Sequence, residues 1–464
     1  MYEKIDLKFD LFMDEQTSNL KKSRNQSENF ICLPSSDYPR IVIIGGGFAG
    51  LSLARTLRKK KVQVVLLDKN NYHQFQPLLY QVATSGLEPD SIAFPYRKQL
   101  WKYKNVHFRL TEVEEISPEH KTIKTDKGSL TYDYLVLATG TKTNFFGNKE
   151  MEKNSLGLKE IRDSLNIRHR MLLNLEQAAI TCNDKDRDAL TNFVIVGGGP
   201  AGVEMAGALA EFCKYVLPKD YKEYPSSIMK IYLLEGSGKL ISGMSETAST
   251  KALNYLKKMN VKVMLNTRVT AYDGRNVVIQ DNEDIIANNL IWTAGVTGQL
   301  PEGISKEHLV GGNRLKTNQF LQIEGLENVF AMGDIAAVIT EDTPRGHSQV
   351  AQPAIQQGKF LAKTILLMID KKPLVKGFKY KDKGSLATIG KRKAVADLGK
   401  FKFGGYFAWL IWSFVHLMSI SGFRNKVLVG LNWAMSYFSY DKSNRLIIDK
   451  NIKTDERNGH AANE

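Results

Sequence analysis

The 464-residue sequence predicts an α/β fold with two Rossmann-like dinucleotide-binding domains and a C-terminal region of amphipathic helices. Three observations carry that expectation. An apolar strand, a G-x-G-x-x-G turn and a helical pattern occur at residues 40–57 and return at 192–212. Each copy closes on a further strand and glycine turn, 95 and 98 residues after its first glycine. Finally, residues 403–423 hold no charged side chain in a protein that is 24% charged.

Residues 1–38 open with "MYEKIDLKFDLFMDEQ", which mixes acids and bases without an apolar run, so no secretory signal is expected. The segment is polar and Ser/Asn-rich, and is expected to be a disordered extension, as is the tail 451–464. Composition is that of a globular protein, with 43% apolar residues, 36 Gly and 13 Pro. Cys32, Cys182 and Cys213 form neither a C-x-x-C pair nor a metal-ligand spacing, so reduced thiols and no metal site are expected.

In the first copy, "RIVIIGGGFAGLSLARTL", Ile41 to Ile44 read as a buried parallel strand. Gly45 then permits a tight turn, Gly47 lets backbone approach a pyrophosphate, and Gly50 lets the helix pack close to the strand. The helix N-terminus offers free N–H groups and partial positive charge to a phosphate. A second strand, "VQVVLLDK", ends in Asp68, 23 residues after Gly45, where a carboxylate meets an adenosine ribose. The strand "YDYLVLATGT" closes the copy around Gly140.

The second copy, "NFVIVGGGPAGVEMAGALAEF", repeats the pattern with Gly197, Gly199 and Gly202. Its acidic position is Glu235 at the end of "MKIYLLEGS", 38 residues on because a polar segment intervenes. "NLIWTAGVTG" closes it around Gly295. The chain therefore carries an internal repeat of two dinucleotide-binding units. Two such sites in one chain suggest an electron relay between a tightly held cofactor and an exchanging one.

At this point the sequence resembles the flavoproteins with two dinucleotide-binding domains, in which FAD occupies the first unit and a nicotinamide cofactor the second. "ENVFAMGDIA" (327–336) fits that pattern, and the resemblance implies that Asp334 bonds the ribityl chain of FAD. Because Asp334 follows the second unit, the FAD domain is expected to be discontinuous. A disulfide reductase would need C-x-x-x-x-C beside the flavin, and Cys182 and Cys213 lie 31 apart. A sulfide:quinone-like enzyme also uses a cysteine pair, for which neither is well placed.

Directly after Asp334 comes "SQVAQPAIQQGKFLAK" (348–363). Gln352 and Gln356 are four apart and share a helix face, so both amides could reach one ligand with two carbonyl acceptors. From the residues alone the spacing equally fits a solvated polar face. Together with "NYHQFQPLLYQVATSGLEPDSIAFPYR" (71–97), "ATG" and "PAGVE", however, it resembles type II NADH:quinone oxidoreductase over about residues 40–448.

The resemblance implies hydride transfer from NADH to FAD and two-electron reduction of a membrane quinone, menaquinone or ubiquinone, near Gln352 and Gln356. It assigns Gly45, Gly47, Phe48, Ala49, Gly50, Asp68, Lys69, Ala138, Thr139, Gly140, Asp334, Ala351 and Gln352 to the flavin side. Gly197, Gly199, Gly202, Glu235, Ala294 and Gly295 fall to the nicotinamide cofactor. Glu204, in "GVE", is placed between nicotinamide and flavin, as an orienting or proton-managing acid or as a structural one. His73 and His416 sit among aromatic neighbours, where packing is the simpler explanation. A reductase of a protein or other small acceptor is the alternative.

Net charge is +15, and residues 379–450 alone hold 13 Lys/Arg against four Asp. Such a surface suits nucleic acid or an anionic membrane. Here charges flank an uninterrupted apolar run instead of interleaving with aromatics, which excludes nucleic acid. "GGYFAWLIWSFVHLMSISGF" (404–423) is long enough to span. Ser413, His416 and Ser419 give it a polar edge, basic residues lie at both ends, and "VLVGLNWAMSYF" follows. A pair of amphipathic helices in the headgroup layer is expected, with Trp409, Trp412 and Trp433 as aromatic anchors.

The expected organisation is an extension at 1–38, an FAD-binding domain at 39–150 and 301–378, and an NADH-binding domain at 151–300. A membrane-anchoring region at 379–450 and a tail at 451–464 complete it. Monotopic attachment at the cytoplasmic face of the inner (plasma) membrane follows, with a second copy of the chain as a partner.

Overall fold

The computed structural model describes residues 30–439, apart from 223 and 226, and residues 444–447. Most of the expected N-terminal extension and the tail from 451 lie outside the described residues. Residues 30–38 do not behave as a loose extension. Ile31 and Leu33 pack on a core cluster, and the Pro34 carbonyl accepts from the Gln63 amide at 2.7 Å. The Ile31 N–H also bonds the Ser129 carbonyl at 2.9 Å, so two apolar residues in the polar stretch tie it to the first domain.

The first sheet has five parallel strands in the order Val329–Ala331, Tyr134–Leu137, Arg40–Ile44, Gln63–Asp68, Val106–Leu110. Ile41, Val42, Ile43 and Val64 to Leu67 are all within 5% of full burial, as a strand covered on both faces requires. Helix α1, Phe48–Leu57, buries Ala49, Leu51, Leu53, Ala54 and Leu57 against it. A three-stranded antiparallel meander between 113 and 131 precedes the closing strand.

The second sheet repeats this order: Leu156–Gly157, Asn289–Trp292, Phe193–Val196, Ile231–Glu235, Val261–Leu265, all parallel. Helix α2, Ile161–Ala179, starts in a reciprocal capping box between Glu160 and Asp163, and helix α3, Pro200–Tyr215, follows the second glycine turn. A second antiparallel meander precedes the closing strand here too. Just past the two closing strands, Thr141–Thr143 pairs with Val296–Gly298 and joins the units. Val329–Ala331 then returns to the first sheet, so that domain is discontinuous. Helix α4, Ala351–Ile369, packs on α1 so closely that a Cβ at Gly358 would meet the Ala49 carbonyl oxygen at 2.5 Å.

The region beyond 379 is less of an anchor than its sequence suggests. Ser385–Gly390, Lys393–Leu398 and Phe401–Gly405 form an antiparallel sheet, and a Cβ at Gly207 of α3 would collide with the Ile389 carbonyl. Only then come α5, Tyr406–Ser419, and α6, Phe423–Ser439. No helix among the described residues is long and apolar enough to cross a membrane.

Both terminal helices are amphipathic in the reverse of the usual sense. Phe407, Leu410, Phe414 and Met418 of α5, and Phe423, Val427, Leu431 and Met435 of α6, form exposed apolar stripes at helical spacing. The Ser413 hydroxyl is buried, and His416 Nδ1 lies 2.8 Å from the Trp412 carbonyl. The tryptophans also turn inward: Trp412 is 2% exposed, and Trp409 and Trp433 pack against the core. They are not lipid anchors; the outward aromatics are Tyr406, Phe407, Phe414 and Phe423.

Candidate active site

The two glycine turns are built on one plan. Gly45 and Gly197 have φ of +99° and +108°, a region open to glycine, and each backs onto the closing strand, at Ala138 and Ala294. A Cβ at Gly50 or Gly202 would run into the carbonyl of Gly45 or Gly197, while Gly47 and Gly199 have nothing within 4 Å. Those open sides at the helix N-caps leave room for a diphosphate.

The acid at the end of the second strand locks each turn. Asp68 Oδ2 accepts from Gly46 N–H at 2.7 Å and Oδ1 from Asn70 N–H at 2.7 Å. Glu235 Oε2 accepts from Gly198 N–H at 2.5 Å and Oε1 from Ser237 N–H at 2.7 Å. Burial raises the Asp68 pKa, and these two N–H groups with the Tyr96 hydroxyl oppose that shift.

A cavity of about 320 Å³ opens at the carboxyl ends of the first sheet. Gly45, Gly47, Phe48, Ala49, Asp68, Lys69, Ala138, Thr139, Gly140 and Asp334 line it. Gly50 does not; it serves helix packing. The open glycine turn, the carboxylate at the strand end and a cavity running on to Asp334 fit an extended dinucleotide such as FAD.

Two residues missed by sequence reasoning cross this cavity from the inserted unit. Lys159 Nζ lies 3.6 Å from Asp334 Oδ2, and Glu160 pairs with Lys69 Nζ at 2.9 Å. Their signal was faint, a Lys–Glu dipeptide just before a helix start.

Helix α4 carries the two glutamines that the sequence singles out. The Gln356 amide is spent on the Lys381 backbone, donating to its carbonyl and accepting from its N–H, both at 3.0 Å. Gln352 and Ala351 are half-buried in the first turn, and neither they nor Gln356 line the large cavity. The residues facing inward are Ala354, which lines it, and Gln357, whose Oε1 accepts from Gly333 N–H at 2.7 Å beside Asp334.

Glu204 stands outside the large cavity. It lies in a second cavity of about 100 Å³, with Tyr80, Gln81, Ala208, Glu211, Lys391, Trp409, Trp412, Trp433 and Tyr437, and not in the wall of the large one. Burial pushes its pKa up to about 8, against a 3.4 Å bond from Thr388 N–H and the nearby Trp412 side chain. The Ser413 hydroxyl is buried here without a hydrogen-bond partner among the described residues. Trp433 donates to Gln81 Oε1 and the Gln81 amide to Tyr80, each at 2.8 Å.

A chain of ring contacts joins the two cavities. Phe48 meets Phe75 at 5.9 Å, Phe75 meets His416 at 6.2 Å, and His416 stacks on Trp412 at 4.3 Å. Burial lowers the pKa of His416 and His73 to about 4, so both are neutral at pH 7. No cysteine lines either cavity. Cys213 is buried on α3, where burial pushes its thiol up to about 11.

One dinucleotide-binding unit inserted into another, with their paired glycine turns, defines the class of two-domain pyridine nucleotide oxidoreductases. The family model for pyridine nucleotide-disulphide oxidoreductases matches residues 39–358, and that for the NDH2 C-terminal domain matches residues 383–439. Type II NADH:quinone oxidoreductase NdhA of Mycobacterium tuberculosis is 34% identical over 429 residues, covering 89% of this chain and 90% of its own. The type II NADH:quinone oxidoreductase of Haemophilus influenzae is 29% identical, covering 84% and 95%. The fold matches NDH2 from Plasmodium falciparum in complex with NADH at a TM-score of 0.81 and 22% identity, over 89% of this chain and all of that one. The chain belongs to the type II NADH:quinone oxidoreductase family.

Proposed function

We propose that this protein is a membrane-associated, non-proton-pumping flavoenzyme that carries electrons from NADH through FAD to a membrane quinone. The observation that carries this reading is the smaller cavity. A buried carboxylate that holds its proton at pH 7 is ringed there by tryptophans, between the NADH unit and two helices with apolar outer faces.

Bound FAD supplies a centre that accepts a hydride and returns two electrons. The chain does the rest. The glycine turn and Asp68 hold the adenosine end, and Asp334, under Lys159, holds the middle. Glu235 takes the ribose of NADH on the second turn. The quinone ring enters the tryptophan chamber, and Glu204 donates a proton to one of its oxygens. Gln352 at the start of α4 remains a candidate quinone contact, whereas Gln356 is a strut. The exposed apolar stripes lie in the headgroup layer, and Lys400, Lys402, Arg424 and Lys426 beside them suit anionic lipid on the cytoplasmic face.

Glu204→Gln keeps shape and removes the acid. NADH should still reduce the flavin at the wild-type rate in stopped flow, while reoxidation by quinone slows roughly 10²-fold, the scale of general acid catalysis. Equal slowing of both half-reactions would place Glu204 on the nicotinamide side.

A further inference from the structure

The reaction NADH + quinone + H⁺ → NAD⁺ + quinol consumes one proton per turnover. The hydride supplies one quinol hydrogen with both electrons, and the other hydrogen comes from water outside. Glu204 is 8% exposed, so after giving up its proton it cannot draw directly on bulk solvent. The structure offers one continuous wall by which it can be reloaded.

Glu211 stands on α3 two turns beyond Glu204, about 10.5 Å along the axis, and both line the same chamber. Ala208 sits between them on that face, and its small side chain leaves the interval open to water. Glu211 is half-buried, more exposed than Glu204, and the Lys391 N–H donates to its Oε1. Opposite stands Tyr80, whose oxygen already accepts from Gln81, so its own proton is directed elsewhere. We propose that Glu211 is the solvent-side entry of a proton line that reloads Glu204 after each turnover, through waters held between Ala208 and the Tyr80 hydroxyl.

The line's electrostatic surroundings are defined. Glu204 faces Tyr80, the Thr388 N–H and Trp412, with neutral His416 behind. Glu211 faces Lys391, whose ammonium bonds the Tyr437 carbonyl and lies 4.5 Å over its ring, while Arg392 reaches the Tyr437 hydroxyl. Tyr215 closes the wall one turn further along α3.

The inference rests on the reading of Glu204 as the quinone-side acid, and the test separates the two. FAD-loaded full-length protein in anionic vesicles is reduced with one equivalent of NADH at pH 7 and mixed with quinone for the first turnover, then given excess NADH for the later ones. Glu211→Gln, which keeps the acceptor for Lys391 N–H, should leave the first quinone reduction unchanged because Glu204 is already loaded. Sustained turnover should fall at least ~10-fold, and formate or acetate should restore it by ferrying protons into the chamber. Unimpaired sustained turnover, a first turnover slowed as much as later ones, or loss without rescue by weak acid overturns the proton line. Glu204→Gln with a normal first turnover would instead overturn the reading beneath it.

Discussion

Glu235 accepts from two backbone N–H groups at the second glycine turn, so its charge is fixed where the adenosine ribose of a dinucleotide lies. Lys239, four residues on, pairs with Glu246 at 3.6 Å. A 2′-phosphate would therefore meet an uncompensated carboxylate, and NADH should exceed NADPH in kcat/KM by on the order of tenfold or more. Glu235→Gln should narrow the gap; equal kcat/KM in the wild type would contradict the assignment.

Protonation has a definite sign at three further groups. Glu204 has a raised pKa, so between about 4.5 and 8 the folded state binds the extra proton. Its contribution to stability is therefore full at low pH and is lost as pH rises through about 8. His73 and His416 are depressed to about 4, so what they contribute is present above about 6.5 and lost as pH falls towards 4. Thermal melts should show Tm falling on both flanks, with Glu204→Gln flattening the alkaline side alone. An unchanged alkaline flank would mean that Glu204 is not buried in solution. The carboxylates at strand ends were legible from spacing because the turn fixes their place. The Tyr80 and Trp412 environment of Glu204 was not, since it is assembled from three distant segments.

Helix α4 shows what a pattern of four conceals. Gln352 and Gln356 share a spacing, but the buried positions run Pro353, Ala354, Gln357, Gly358, Leu361, and that phase points Gln357 inward. The apolar periodicity held the answer, and the glutamine pair distracted from it. Helices α5 and α6 were legible as elements with an apolar face, but their sense was inverted. Tryptophans line the chamber, and phenylalanine, leucine and methionine face outward. Truncation before Gly404 would consequently strip Ala408, Trp412, Ile420 and Val429 from the core. The cleaner test is Phe414→Glu with Leu431→Glu on the exposed stripes. Vesicle binding should fall on the order of tenfold or more while a water-soluble quinone is still reduced; retained vesicle binding would exclude this face. Asn425 fastens α6 by donating to the Asp90 and Ala93 carbonyls, each at 2.9 Å. Asn425→Ala leaves both without a donor and should cost about 1–3 kcal/mol of stability in denaturant titration.

In the whole molecule, each unit completes something in the other. Val329–Ala331 joins the first sheet although it follows the second unit in the chain, and Lys159 and Glu160 reach back from that unit into the large cavity. Duplication and insertion could be read from two glycine motifs and one late aspartate, because backbone turns leave strict sequence marks. The chamber left none, as it depends on how the C-terminal sheet seats the last helices against α3. On the proposed reading, hydride would enter from the second unit and electrons would leave toward the chamber. The direct test is anaerobic stopped flow on vesicle-bound holoenzyme, following the visible flavin band through sequential additions. NADH should bleach the band, and a membrane quinone should then restore it while one quinol forms for each NADH consumed. A band that NADH bleaches but no quinone restores, or quinol that forms while the band never changes, would contradict the account.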